Sequence, residues 1–241
     1  MLFNFQRGQL GRRRIASDSG ADPYWSSVTL LLGFEDGNGA TSFADDSGTF
    51  TVTGQGGGAV TTAQAKYGTG SLDVPGTTGA ARAEIAQAAN AGFDFGGGDF
   101  TIELWARYLS GQGQSQWHIL DANQTGTSRF LLRYTNADTL SFGVNGVSTT
   151  TQSTYAWTSG NWVHLAYSRS GNSGRLFADG ALLTTTDLSG VTINSGTTAL
   201  YIGNSDTGDV FGGQIDEVRF TKGVGRYTAA FTPPSAAFPR A

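Results

Sequence analysis

Cysteine is absent from this chain of 241 residues, so no disulfide and no thiolate-held metal stabilises it, and packing has to do that alone. There are only two histidines, His118 and His164, which argues against a polyhistidine transition-metal centre. No segment approaches the ~20 apolar residues needed to cross a bilayer. The N-terminal MLFNFQRGQLGRRR has charges but no apolar run behind them, so it does not read as a signal peptide. The expectation is a soluble chain made in the cytoplasm with no membrane partner. Charged residues are scarce at 14%, so Ser, Thr, Asn, Gln and Gly have to cover most of the surface. Proline is also rare beside glycine, 5 against 36, as in a protein of many short strands joined by tight turns.

The few charges are unevenly placed. Arg7, Arg12, Arg13 and Arg14 fall in the first fourteen residues with no acid among them, while the remainder carries eleven basic and nineteen acidic residues. Residues 1–22 therefore read as a basic arm on an acidic body, 23–241. The arm has no sustained period. Four arginines without a fold or interleaved aromatics do not make a nucleic-acid site. The arm is either a solvated tail or a docking arm whose Phe3 and Phe5 anchor on a neighbouring subunit, each worth roughly 1.5–3 kcal/mol once buried.

The body is organised around Asn161–Gly180, NWVHLAYSRSGNSGRLFADG. Val163, Leu165 and Tyr167 share one face of a strand, and Trp162, His164 and Ala166 the other. Apolar residues on both faces place that strand between layers. Asp179–Gly180 is the residue pair that a type I′ hairpin turn favours. Further strands are predicted at Val28–Leu32, Asp99–Arg107, Arg129–Tyr134, Thr139–Val144, Ser148–Thr154, Ala199–Gly203 and Gln214–Phe220, with two-residue turn chemistry at Asn145–Gly146 and a polar turn over Asn204–Gly208. Gly54–Gly58 reads as a loop, since its glycines precede no Lys-Ser/Thr and open no helix. Ala80–Asn90 is rich in helix formers and reads as a short helical turn.

Three stretches resemble one family: W-x-H-x-A followed by a D-G turn, the strand DFTIELWAR at Asp99–Arg107, and FGGQIDEVRFTKGVGRYTAAFTPP at Phe211–Pro234. They are similar to LamG-like jelly rolls of the concanavalin A-like lectin/glucanase superfamily, and the R-Y-T-x-x-F-x-P-P ending resembles viral members. Lys66–Val74 resembles the family's K-x-G-x-x-S-L strand, which implies a strand there with Leu72 and Val74 facing inward. The resemblance implies an all-β fold, a two-sheet antiparallel jelly-roll sandwich, with Trp162, Leu165, Leu104 and Val218 buried. It also implies a virion component of a tailed phage, decorating the particle, or else a tail adhesin that binds a cell-surface glycan. Other virion subunits, capsid or tail, and further copies of the chain are the implied partners.

Several residues are candidates for chemistry. Thr101, Glu103, Trp105 and Arg107 share one face of their strand, the face that related lectins and glucanases use for sugars. Trp105 is there a stacking platform, or else covered by loops, with Glu103 paired to Arg107. Asp45 and Asp46 hold an Asx turn or part of a calcium site. Asp216 is expected to point towards the core with Val218 and Phe220, bound by backbone N–H groups or by calcium. Retaining hydrolysis needs two carboxylates about 5 Å apart. Glu35–Asp36 and Asp216–Glu217 are adjacent pairs, which a regular strand sends to opposite faces. No catalytic, cofactor or metal residue is therefore assigned, His164 reads as a structural hydrogen-bonding residue, and glycoside hydrolysis is disfavoured.

Overall fold

A computed structural model describes residues 20–76, 80–86, 92–109, 115–122, 130–144, 149–193, 199–205 and 208–241. Residues 1–19 of the arm, the Asn145–Gly146 turn and the centre of the Asn204–Gly208 turn lie outside them. Among the described residues sixteen strands, numbered in chain order, form two antiparallel sheets of eight. The first holds β1 (Val28–Leu32), β4 (Ala59–Thr61), β5 (Ser71–Val74), β7 (Phe100–Tyr108), β12 (Trp162–Ser170), β13 (Ser173–Ala178), β14 (Ala181–Asp187) and β16 (Gly213–Lys222). The second holds β2 (Ser42–Phe43), β3 (Val52–Gln55), β6 (Arg82–Ile85), β8 (Gln116–Ala122), β9 (Phe130–Thr135), β10 (Thr139–Val144), β11 (Thr149–Thr154) and β15 (Leu200–Ile202). This is the expected all-β sandwich. Among the described residues no helix is long and apolar enough to cross a membrane.

The inner faces follow the alternation read from the sequence. Ile102 and Leu104 of β7, Val163, Leu165 and Tyr167 of β12, and Leu72 and Val74 of β5 enter one core. Leu132 of β9, Leu140, Phe142 and Val144 of β10 and Ile202 of β15 meet them from the other sheet. Aromatic rings bridge the two sheets. Phe142 stacks on Tyr167 with centroids 3.8 Å apart, and Phe130 lies 6.0 Å from Phe220. The strand β1 is apolar on both sides because it serves two clusters: Leu30 and Leu32 belong to the main core, and Val28 and Leu31 to a second one with Phe238. Trp162, at the start of β12, is only half-buried, unlike Leu165, Leu104 and Val218.

At the β13–β14 turn Asp179 and Gly180 both have positive φ, 46° and 74°, as a type I′ turn requires. Gly180 has a second reason to lack a side chain: a Cβ there would sit 1.9 Å from the carbonyl oxygen of Phe231, whose N–H donates to Gly180 O at 2.9 Å.

Three expectations are corrected. Within the Ala80–Asn90 stretch, residues 82–85 form β6 rather than a helical turn, paired with β3 and β15, and residues 87–90 lie outside the described ones. Ala83 and Ile85 face the core while Arg82 and Glu84 face away, so burial at period two overrides helix propensity. Gly54 belongs to β3, and the loop is confined to the turn that joins it to β4. The Lys66–Val74 segment becomes a strand only at Ser71, because the backbone at Lys66 and Tyr67 is turned towards Asp216.

Leu165 is fully buried between Leu104 and Ala178 on the neighbouring strands. Leu165→Ala should cost about 2–5 kcal/mol in denaturant unfolding while leaving the far-UV β signature intact.

Candidate functional site

The outer face of the first sheet is where the sequence placed Trp105 and Glu103, and the C-terminal segment, with Asp22 beside it, covers that face. Opposite Glu103 on β16 stands Arg219, and opposite Trp105 stands Asp216. Two strand positions on one face should lie an even number of residues apart, and these lie three apart. A β-bulge between Asp216 and Arg219, with Glu217 at φ 51°, supplies the extra residue. Asp216 therefore points away from the main core, correcting its predicted placement beside Val218 and Phe220. Its carboxylate accepts N–H bonds from Lys66 (2.8 Å), Tyr67 (3.1 Å) and Glu217 (2.8 Å), the loop partners expected for it.

Glu103 pairs with Arg219 and not, as the sequence suggested, with Arg107. Arg219 donates to Glu103 Oε1 through Nε (3.0 Å) and Nη2 (2.7 Å), and Tyr227 OH donates to Oε2 (2.7 Å). Arg107 turns instead to Gln214 Oε1 and Gly160 O. Arg219 Nη1 also reaches Asp22 Oδ2 at 2.9 Å, and Arg226 closes on both oxygens of Asp22. Two carboxylates and two guanidiniums are thus sealed together, which is the condition for keeping charges out of water. Burial alone would raise the Glu103 pKa, but Arg219, with His164 and Arg226 behind it, holds it well below the usual carboxylate range.

The C-terminal segment after β16 is the cover. Tyr227 stacks on Phe231 at 3.6 Å, Phe231 packs edge-on to His164 and Phe177, and Phe238 lies under the Arg219 guanidinium at 4.0 Å. Tyr67 OH donates to Pro234 O, and Phe238 N–H to Glu217 Oε2. Arg240 ties Glu217 to Asp46. Asp22 N–H meets Ala241 O at 3.3 Å, so residue 22 is built into the body. Trp105 is only 5% exposed, edge-on to Tyr67 and His164 with Lys66 Nζ 3.9 Å from its ring centre, so no sugar can stack on it. His164 makes its hydrogen bonds through the backbone, to Asp179. Its ring fits among Trp105, Tyr227, Phe231 and Phe238, with Nε2 3.3 Å from Glu103 Oε2.

The other candidate carboxylates are occupied too. Asp45 receives N–H bonds from Leu31, Ser47, Thr49 and Phe50 and the Ser47 hydroxyl, the donor set of an Asx turn extended to a neighbouring strand. Glu35 is bound to Thr69 and Asp36 to Ala44 N–H. Among the described residues no three or more His, Asp or Glu side chains converge on a metal-sized site.

The outer face of the second sheet carries a polar group that sequence reasoning missed. His118 Nδ1 lies 3.2 Å from Asp121 Oδ2, and its Nε2 lies 3.7 Å from Asp209 Oδ2, which accepts from Gln116 Nε2. Arg133, opposite His118, donates to Gln116 Oε1 and Ser141 Oγ. Beside them the Arg82 guanidinium, held by Glu84, lies 4.4 Å over the Tyr201 ring. A second bulge, between His118 and Leu120, brings His118 and Asp121 to one face. The trace it leaves in QWHILDA is two polar residues three apart around an apolar pair. The buried His118 Nε2 and Asp121 Oδ1 have no hydrogen-bond partner.

Two sheets of this topology, with one outer face sealed and the other polar, define a jelly-roll sandwich of the lectin type. The chain belongs to the concanavalin A-like lectin/glucanases superfamily, whose model matches residues 75–224. Similar solved structures include the botulinum neurotoxin serotype D binding domain (12% identity, TM-score 0.61, 83% of this chain and 49% of that one). The binding domain of Paraclostridial mosquitocidal protein 1 is also similar (11%, 0.62, 83% and 50%), as is that of botulinum neurotoxin DC in complex with SialylT (12%, 0.61, 83% and 49%). The chain spans about half the length of these structures, and at such identity the likeness is one of fold. No match is found among curated protein sequences.

Two predictions follow from the sealed face. Trp105→Ala, in a buried position, should cost about 3–5 kcal/mol and lower the melting temperature. Glu103 has a lowered pKa in the fold, so its contribution to stability is complete above the ordinary glutamate value of about 4.3 and is lost as pH falls below it. Asp216 and Glu217, both raised first of all by burial, act in the opposite sense: their contribution is present below the ordinary carboxylate range and fades as pH rises. In pH-dependent unfolding, Glu103→Gln should flatten the loss of stability below about pH 4; an unchanged acid limb would assign that loss to other groups.

Proposed function

We propose that this chain is a non-catalytic structural protein of a tailed-phage virion, a jelly-roll block that decorates the particle surface and is attached through its N-terminal arm. One observation carries the reading: the R-Y-T-x-x-F-x-P-P ending, which resembles viral members, seals the face that an enzyme or lectin of this type would keep open. Glu103 is clamped by Arg219 and Tyr227, and Asp216 is wrapped by three N–H groups, so neither is free to act on a glycosidic bond. Both ends of the described chain meet at Asp22 and Ala241, so the arm leaves the block from one defined spot.

A second reading, a tail adhesin for a cell-surface glycan, is favoured by the polar outer face of the second sheet. Tyr201 supplies a half-buried ring there, with the Arg82 guanidinium over it and the buried His118–Asp121 pair beside it. A neighbouring toxin domain has been solved with SialylT.

Fractionation of particles into heads and tails should find the protein on heads. Deleting residues 1–19 should leave a folded protein that no longer attaches, and full incorporation of the truncated chain would make the jelly roll itself the contact. Recovery on tails, with glycan-array binding lost in Tyr201→Ala, would favour the adhesin. Turnover of a β-glucan abolished by Glu103→Gln would overturn both.

A further inference from the structure

The two sides of the sandwich are finished differently. On one side the sheets end in β4 and β2, three and two residues long, and the segment before β2 bonds to β4: Gly39 N–H donates to Val60 O, and Val60 N–H to Ala40 O. On the other side the sheets end in the longer β14 and β11, which lie beside each other. Among the described residues β14 pairs with no strand but β13, so one row of its N–H and C=O groups has no strand partner. Such a row is a template for another strand.

Several features of β14 indicate what pairs there. Leu182 is one of two large apolar side chains that stand out among the described residues; the other, Tyr24, lies under the Arg226 guanidinium. Leu183 packs against the margin of the core, so both sides of this edge offer apolar surface. Asp179 and Asp187 flank it with exposed carboxylates. The strand β11, by contrast, is made of Thr, Ser and Gln alone. A complement is present in the chain itself: Leu2-Phe3-Asn4-Phe5-Gln6 puts both phenylalanines on one face of an extended segment, and Arg7 and Arg12–Arg14 follow. Residues 7–19 reach at most about 45 Å when extended, enough to pass from one block to the edge of the next.

We propose that Leu2–Gln6 of one copy adds as a strand to the free edge of β14 in a second copy, with Phe3 and Phe5 covering Leu182 or Leu183 and the arginines meeting Asp179 and Asp187. The choice of a second copy rests on the reading of the arm as an assembly element. The bulge in β14 at Leu183 limits the ladder on offer to Thr184–Asp187, with Leu182 at its end.

Hydrogen exchange on the full chain, dilute and concentrated, tests this. Amides on the unpaired side of Thr184–Asp187 should slow at least tenfold as association sets in. Leu182→Lys, and the double substitution Phe3→Ser with Phe5→Ser, should each raise the concentration of half-association at least tenfold without changing the melting temperature. An equimolar mixture of the two variants should form a one-to-one dimer and nothing larger, because one supplies the arm and the other the edge. Protection of β14 that is independent of concentration would mean that the arm folds back on its own copy, and the proposal would fall. It would fall equally if β14 gained no protection, or if either variant associated like the parent chain. None of these results bears on whether the protein is found on heads, so the virion reading stands or falls separately.

Discussion

A guanidinium cannot be left unpaired in a protein interior, and the architecture of the first sheet answers that constraint at Arg219. Arg219 is 4% exposed in the middle of β16, the strand that pairs with β1, β5 and β7. It draws Glu103 from β7 and Asp22 from the N-terminal segment, and Asp22 draws Arg226 from the C-terminal one. Removing any one of the four leaves a buried charge uncompensated, which is far costlier than losing an exposed ion pair. The aromatic cover of Tyr227, Phe231 and Phe238 keeps water from competing for these bonds. The polar centre and its apolar lid depend on each other.

Both outer faces owe their chemistry to bulges. A regular strand would have sent Asp216 and Arg219, or His118 and Asp121, to opposite sides. One extra residue in each case brings a pair together, once as a charged layer sealed by the C-terminal segment and once as a buried polar pair, His118 and Asp121. The unmatched atoms of His118 and Asp121 are buried, and of the kind that an internal water satisfies.

What could be read from the sequence follows from the same geometry. The alternation in DFTIELWAR and WVHLAYS is unbroken, so the inward faces of β7 and β12 were legible residue by residue, and Asp179–Gly180 announced its turn. Reading failed where period two failed: Asp216 was assigned the wrong side because nothing in QIDEVRF marks the bulge except an acid pair where a core residue should stand. Arg219 as the partner of Glu103 was hidden for another reason, since the two are 116 positions apart and only strand register places them opposite each other. At Arg82–Ile85 local propensity pointed to helix, and the two flanking strands decided otherwise.

The position of β16 also sets the order in which the fold can be completed. It is the last in chain order of the described strands, yet it occupies an interior place in the sheet, between β7 on one side and β1 and β5 on the other. Until it arrives, β1 has no partner in that sheet and Glu103 has no cation. A chain emerging from the ribosome can build the β12–β13–β14 meander and the β8–β9–β10 ladder early, because their contacts are local. Closure of the first sheet has to wait for residues near the C-terminus to return to those near the N-terminus. Contacts of such sequence separation make for slow folding, and the bond between Asp22 and Ala241 spans the greatest separation of all those described above.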